Sequence, residues 1–212
     1  DPLYAAAAAG VRVNGPDSGQ WYLRAPDATI KSAIDIETAW LRSTGSGVVV
    51  AVLDTGVRPD HPDLSSQLLP GYDFVSNATV ANDGDPRDAV ATDPGDWLTS
   101  TEAGTSVFAG CSASSSSWHG TSTSSLVAAA ANNSLGMAGS APGAKVLPVR
   151  VLGKCFGDDA DIMAGMLWAA GLAVDGVPTN PNPARVINMS LGGSGACNAA
   201  YQDVVNRIAA AG

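Results

Sequence analysis

The sequence predicts an α/β fold with a parallel sheet and helices on both of its faces, and three observations carry that prediction. Val48 to Leu53 is a continuous apolar, β-branched run that ends in Asp54-Thr55-Gly56, the pattern of a strand buried on both faces. Two more such runs, Lys145 to Val151 and Arg185 to Leu191, each follow turn signals and precede a helical pattern. Strand, helix, strand, helix in this rhythm implies right-handed crossovers and parallel neighbours. Parallel α/β sheets place their sites at the carboxyl tips of the strands, and a carboxylate left unpaired at such a tip is expensive to bury. Asp54 therefore calls for a partner elsewhere in the chain, and the candidate is His119.

Taken in order, residues 1 to 30 hold Gly10, Gly15, Pro16, Gly19 and Pro26 with little periodicity and read as an extended arm pinned by Trp21, Tyr22 and Leu23. Lys31 to Arg42 carries Ile34, Ala39 and Trp40 at loosely helical spacing, and Ser43 to Gly47 turns into the first strand. Ser65 to Ser117 is poor in periodicity and holds Asp83, Asp85, Asp88, Asp93 and Asp96, then the low-complexity run Ser112 to Ser117. It reads as solvated loop, the alternatives being a secondary cation site or a preference for basic substrates. Trp118-His119-Gly120-Thr121 opens a stretch of small residues, Ser122 to Ala131, suited to a helix packed closely on the sheet. A second helix starts near Asp158 and Asp159 and buries Ile162, Met163, Met166, Leu167 and Ala170. A third starts near Asn198, buries Tyr201, Val204, Val205 and Ile208, and ends at Gly212.

Composition excludes some functions. At 212 residues and 45 % hydrophobic, the chain is long enough for one substantial domain. A net charge of −9, with three Lys among eleven basic residues, repels polyanions, so no nucleic-acid partner is expected. No apolar run approaches the roughly 20 residues that span a bilayer, so no membrane role is expected either. An N-terminal Asp1 in place of Met suits a processed product. Cys111, Cys155 and Cys197 leave one thiol over whatever the pairing.

Four blocks in this order, AVLDTGVRPDHPDL around Asp54, HGT at His119, ANNSLGMAGSAPGAKVLPVRVL and VINMSLGG, resemble the N-terminal two thirds of a subtilisin-like serine protease, in particular the secreted bacterial subtilases that carry Cys. The resemblance covers about residues 47 to 212, with 1 to 46 left as an N-terminal arm and helix. It implies that Asp54 is the triad carboxylate that orients the imidazole, and that His119 is the general base and later the general acid. His61 falls in the HPDL element, which the family uses structurally. Lys154-Cys155-Phe156-Gly157 and Ser190-Leu191-Gly192-Gly193 match the two segments that pair with an extended peptide or protein substrate from either side, with Leu191 walling an apolar pocket. The loop Asn132 to Met137 matches a calcium loop, with the Asn133 side chain and the Leu135 and Met137 carbonyls as ligands, Asp63 as the carboxylate and Gln20 as a further ligand. Oxygen-only donors suit that hard cation. A secreted, extracellular chain is also the right compartment for a Cys111–Cys155 disulfide, which would tie the loop before His119 to the substrate edge.

The chain departs from the pattern in two places. The usual HGTHVAG becomes His119-Gly120-Thr121-Ser122-Thr123-Ser124-Ser125, a more polar helix start. Nothing resembles the GTSMA nucleophile block or the AAGN oxyanion block, so the sheet is expected to be incomplete in this chain. A C-terminal segment of the same protease beyond residue 212 is expected to supply the Ser, an oxyanion Asn and a partner for Cys197. The expected function is that of a secreted serine endopeptidase, with this chain inactive alone. The alternatives are a catalytically inactive, calcium-stabilised pseudoprotease or binding fragment, and an aspartic protease in which Asp54-Thr55-Gly56 would need a second carboxylate.

Overall fold

The computed structural model describes residues 19–212, and most of the arm read at residues 1 to 30 lies outside them. A four-stranded sheet has the order β2-β3-β1-β4, with β1 Val49–Asp54, β2 Tyr72–Asp73, β3 Lys145–Arg150 and β4 Val186–Asn188. β1 pairs in parallel with β4, Val50 opposite Val186 and Val52 opposite Asn188, and β2 pairs in parallel with β3, Asp73 opposite Arg150. The helices are α1 Ile36–Trp40, α2 Ala78–Ala81, α3 Ser100–Ala103, α4 His119–Ala128, α5 Asp159–Ala169 and α6 Ala199–Ala211. None is long and apolar enough to cross a membrane among the described residues.

The fold divides into two compact units. Among the described residues, one takes in 19–48 with Pro59–Leu68 and Ser124–Val146, and the other is Val49–Arg58, Leu69–Thr123 and Leu147–Gly212. In the first, Leu64, Ala128, Ala129, Ala138, Ala144 and Val146 are buried, and Trp40 Nε1 donates to Ser140 O at 2.9 Å. In the second, alternate residues of β1 part to opposite sides. Ala51 and Leu53 join a core with Leu147, Val149, Ile162, Met166, Trp168 and Val204, the side covered by α5 and α6. Asp54, one step out of phase, points to the other face, where the first turn of α4 meets it.

Several elements differ from the sequence expectation. The helical pattern of Lys31 to Arg42 forms one turn, because Asp35 at its start is left-handed, with φ of 51°. The acidic stretch is not simply hydrated loop: Val75, Val80, Ala81, Leu98 and Phe108 build a small core there, and Asp73 and Asp93 are buried. Of the face read on α5, Ile162 and Met166 are buried while Met163 and Leu167 pack at its border, and Trp168, which joins Tyr72 and Phe74 in an aromatic cluster, is buried as well. On α6 only Val204 is buried. Tyr201 and Ile208 lie half-buried against the core, but Val205 is 47 % exposed, lying about 100° round the helix from the buried Val204. β4 is shorter than Arg185 to Leu191, ending at Asn188 opposite Val52 of β1.

Candidate active site

At the carboxyl tip of β1, Asp54 is fully buried while the His119 side chain, at the first residue of α4, is 44 % exposed. His119 Nδ1 lies 2.8 Å from Asp54 Oδ1 and 2.9 Å from Oδ2. Thr55 N donates to Oδ1 at 2.7 Å, and Thr123 Oγ1 donates to Oδ2 at 3.1 Å. A carboxylate so placed fixes Nδ1 as the ring's hydrogen-bearing nitrogen and turns Nε2 away from Asp54. Its partners are a histidine, a backbone amide and a hydroxyl, not a second carboxylate, so the paired-acid geometry of an aspartic protease is not what Asp54 adopts here.

Close packing brings α4 this near to β1. A Cβ on Gly120 would meet Gly56 O at 2.0 Å, and Gly56, with φ of 97°, would itself meet Ala91 O at 2.8 Å, so glycine is required at both positions. Thr55 Oγ1 accepts from Gly120 N at 3.0 Å and donates to Asp93 Oδ2 at 2.7 Å, linking the helix start to the acidic stretch. Burial is the main cause that raises the Asp93 carboxyl above its ordinary range. Asp96 accepts from Ser117 N at 2.6 Å and from Ser117 Oγ at 2.7 Å, and Ser117 Oγ in turn accepts from His119 N at 3.2 Å. Beneath the turn, buried Arg150 donates to Thr55 O at 3.1 Å and pairs with Asp73 and Asp83. Burial pushes Asp73 up to about 7 even against the attraction of Arg150. Of these positioning groups, sequence reading had flagged Asp93 and Asp96 only as loop charges and had given Thr55, Ser117 and Arg150 no role; nothing in the pattern marks a single polar residue as buried beside a distant one.

His119 opens on a cleft of about 890 Å³ in the same unit, with Cys155, Phe156 and Gly157 along one edge and Ser190, Leu191, Gly192 and Gly193 along the other. Lys154, the remaining residue read as substrate-binding, does not line it. Its side chain is buried, with Nζ 2.6 Å from Glu102 Oε1 and 5.0 Å above the Trp97 ring. That hydrogen bond is the main cause that lowers Glu102 to about 2. Cys155 is joined to Cys111 in a disulfide, and Cys197 is free and exposed. At the far end, Tyr201 donates to Asp159 Oδ1 at 3.0 Å, and its hydroxyl is pushed up to about 12, by burial first and by that acid second.

The residues read as calcium ligands converge in the other unit. Asp63 is buried and accepts from Asn133 Nδ2 at 2.6 Å and from Met137 N at 2.8 Å. Asn133 Oδ1 accepts from Leu135 N at 3.0 Å, and Gln20 exchanges hydrogen bonds with Ala138 O and Ala138 N at 2.8 and 2.9 Å. One carboxylate, two amides and loop carbonyls match in type the hard-oxygen donors that calcium takes. Here Asp63 is satisfied by Asn133 and Met137, and Gln20 by Ala138 and Tyr22. His61 sits two residues away, its Nδ1 accepting from Asp63 N at 3.3 Å, which makes it a local brace.

A model of the subtilase family, Peptidase_S8, matches residues 45–212. The chain belongs to the subtilase family. It is 51 % identical over 189 residues to an extracellular protease of Xanthomonas campestris, covering 89 % of this chain and 31 % of that protein. It is 51 % identical over 164 residues to an extracellular basic protease of Dichelobacter nodosus, covering 77 % of this chain and 27 % of that one. The structure of a protease from Pseudoalteromonas arctica superposes with a TM-score of 0.86 at 51 % identity, over 94 % of this chain and 56 % of the other. This subtilase chain therefore spans about a third of the curated relatives' length and about half of that solved chain.

Proposed function

We propose that this subtilase is part of a secreted serine endopeptidase that hydrolyses peptide bonds through an acyl-enzyme. The observation that carries the reading is the Asp54–His119 contact at a strand tip, opening on a cleft lined by Cys155 to Gly157 and by Ser190 to Gly193. His119 takes the proton of a nucleophilic hydroxyl and later gives it to the leaving amine, while Asp54 holds the ring in position and stabilises the imidazolium. The nucleophile comes from a C-terminal segment of the same protease, which also supplies an oxyanion Asn. Two of the cleft's own serines serve otherwise: Ser117 Oγ is bonded to Asp96, and Ser190 Oγ accepts from Asn188 Nδ2 at 3.0 Å. The extended substrate pairs as a strand between residues 155–157 and 190–193. The names of the two relatives and the disulfide both support export to an oxidising compartment.

Treating the full-length protease with a serine-directed phosphonate tests this reading. Labelling should inactivate it, and His119→Ala should abolish both labelling and peptide hydrolysis. A well-folded full-length protein that neither reacts nor turns over would leave it a pseudoprotease.

Calcium belongs to the same proposal, held by Asp63, the Asn133 amide, Gln20 and the Leu135 and Met137 carbonyls. It would brace a loop and supply no chemistry to the peptide bond. Prolonged chelation of the full-length protein should lower its melting temperature by several degrees, because an ion at 100 times its dissociation constant contributes about 2.7 kcal/mol. Unchanged melting would leave the hydrogen bonds of Asp63 as the whole of the site.

A further inference from the structure

One buried hydroxyl touches the dyad without a role in the chemistry described so far. Thr123 Oγ1 is 3.1 Å from Asp54 Oδ2 and 3.1 Å from Gly120 O, and the residue is 9 % exposed. A hydroxyl has one hydrogen, and an ionised carboxylate is a stronger acceptor than a peptide carbonyl, so the hydrogen goes to Asp54. Thr123 also stands where the HGTHVAG pattern has Val, a side chain of nearly the same shape with no donor.

We propose that Thr123 is a positioning residue for the Asp54–His119 dyad, its hydroxyl fixing the rotation of the Asp54 carboxylate and, through it, the His119 ring. Each carboxylate oxygen has one donor besides the ring: Thr55 N on Oδ1 and Thr123 Oγ1 on Oδ2. With the two oxygens held alike, Nδ1 sits almost evenly between them at 2.8 and 2.9 Å. The carboxylate is 0 % exposed, so no solvent molecule takes over a lost bond. Removing the Thr123 donor frees Oδ2 to draw the ring proton to itself, which unbalances the pair and strengthens its hold on the imidazolium. Of the other charged groups around the site, Arg58 lies 5.4 Å over the ring of Trp118 beside His119, and three reach Asp54 and His119 through intermediaries: Asp93 through the Thr55 hydroxyl, Asp96 through Ser117, and Arg150 through the Thr55 carbonyl. None of the three bonds to the Asp54 carboxylate, so none makes up for Thr123.

For its kinetic arm the inference rests on the hydrolytic reading of the dyad. In the full-length protease, Thr123→Val should lower kcat by about 3- to 10-fold at unchanged KM and move the acid limb of the pH profile up by about half a pH unit. Thr123→Ser, which keeps the donor and drops the methyl, should restore both. A Val variant with wild-type kcat and pH profile would overturn the proposal, as would a Ser variant impaired as much as the Val one, which would make the methyl's packing the cause. A second readout needs no turnover: the far-downfield proton resonance of His119 Nδ1, assigned by its loss in His119→Ala, should shift in the Val variant and stay in place in the Ser variant. A resonance unmoved by Val overturns the positioning role. A resonance that moves as expected in a full-length protein without peptidase activity supports the positioning role and refutes the hydrolytic reading instead.

Discussion

Among the described residues, one edge of the cleft is anchored from behind and the other carries no such ties. Residues 153–156 are tied by the Cys111–Cys155 disulfide, by the Lys154 ammonium 2.6 Å from Glu102, and by Lys154 N donating to Val80 O at 2.8 Å. Glu102 belongs in turn to a capping box with Thr99 that fixes α3. Across the cleft, Ser190 and residues 192–196 are exposed, and a Cβ built on Gly192, Gly193 or Gly195 would meet open space. The contrast teaches that an edge gains its shape from the layer behind it. The first edge has one made of the acidic stretch, whereas the second follows β4, whose Val186 is 50 % exposed.

Cutting the covalent tie should have the largest effect on this contrast. Replacing Cys111 and Cys155 by Ser in the full-length protein reopens a 44-residue span and should lower unfolding free energy by about 4 kcal/mol in the chain-entropy model. KM should rise more than kcat falls, because the loss is in how the edge is held. Denaturant titration and steady-state kinetics read both, and undiminished stability would show that the anchor lies elsewhere.

Acid should loosen the same edge more gently. Glu102 falls from its ordinary 4.5 to about 2 in the folded protein, chiefly through Lys154, so the folded state binds its proton less readily than the unfolded one. Its contribution is then complete above 4.5 and is lost as pH falls through that value toward about 2. Hydrogen exchange of the amides in residues 97–111 should quicken over that window in the wild type and be insensitive to it in Glu102→Gln. Equal pH dependence in the two proteins would remove Glu102 from the account.

The smallest effect on stability is expected on the second edge. Gly192→Ala has open space for its Cβ, so denaturation should move by no more than about 0.5 kcal/mol. KM should nonetheless rise, since a peptide pairing there approaches the backbone where the methyl would stand. If KM stays put, that edge does not meet the substrate backbone.

Much of this was legible in the residues alone. The run from Val48 to Leu53 read as a buried strand because both its faces are covered, and Asp158 and Asn198 read as helix starts because each side chain accepts from the amide two residues on, at 2.8 and 2.9 Å. β2 was missed because two residues carry no period, and the small core around Phe108 was missed because its members are spaced along a stretch dominated by Ser and Asp. Val205 was misplaced because α6 offers neighbouring apolar residues and sequence alone does not say which one meets α5.

By itself the sequence determined the parallel α/β class and the strand that carries Asp54, since these follow from local period, while the pairing of that carboxylate with His119 was implied by the resemblance of their two blocks to the subtilases. Only the tertiary structure decided that Lys154 turns from the cleft to Glu102, that Asp93 and Asp96 reach the helix start through Thr55 and Ser117, and that Thr123 donates to Asp54. Those contacts join residues 21 to 69 positions apart in the chain, and a polar side chain acquires such a partner only when packing brings the two together and removes the water that would otherwise satisfy it.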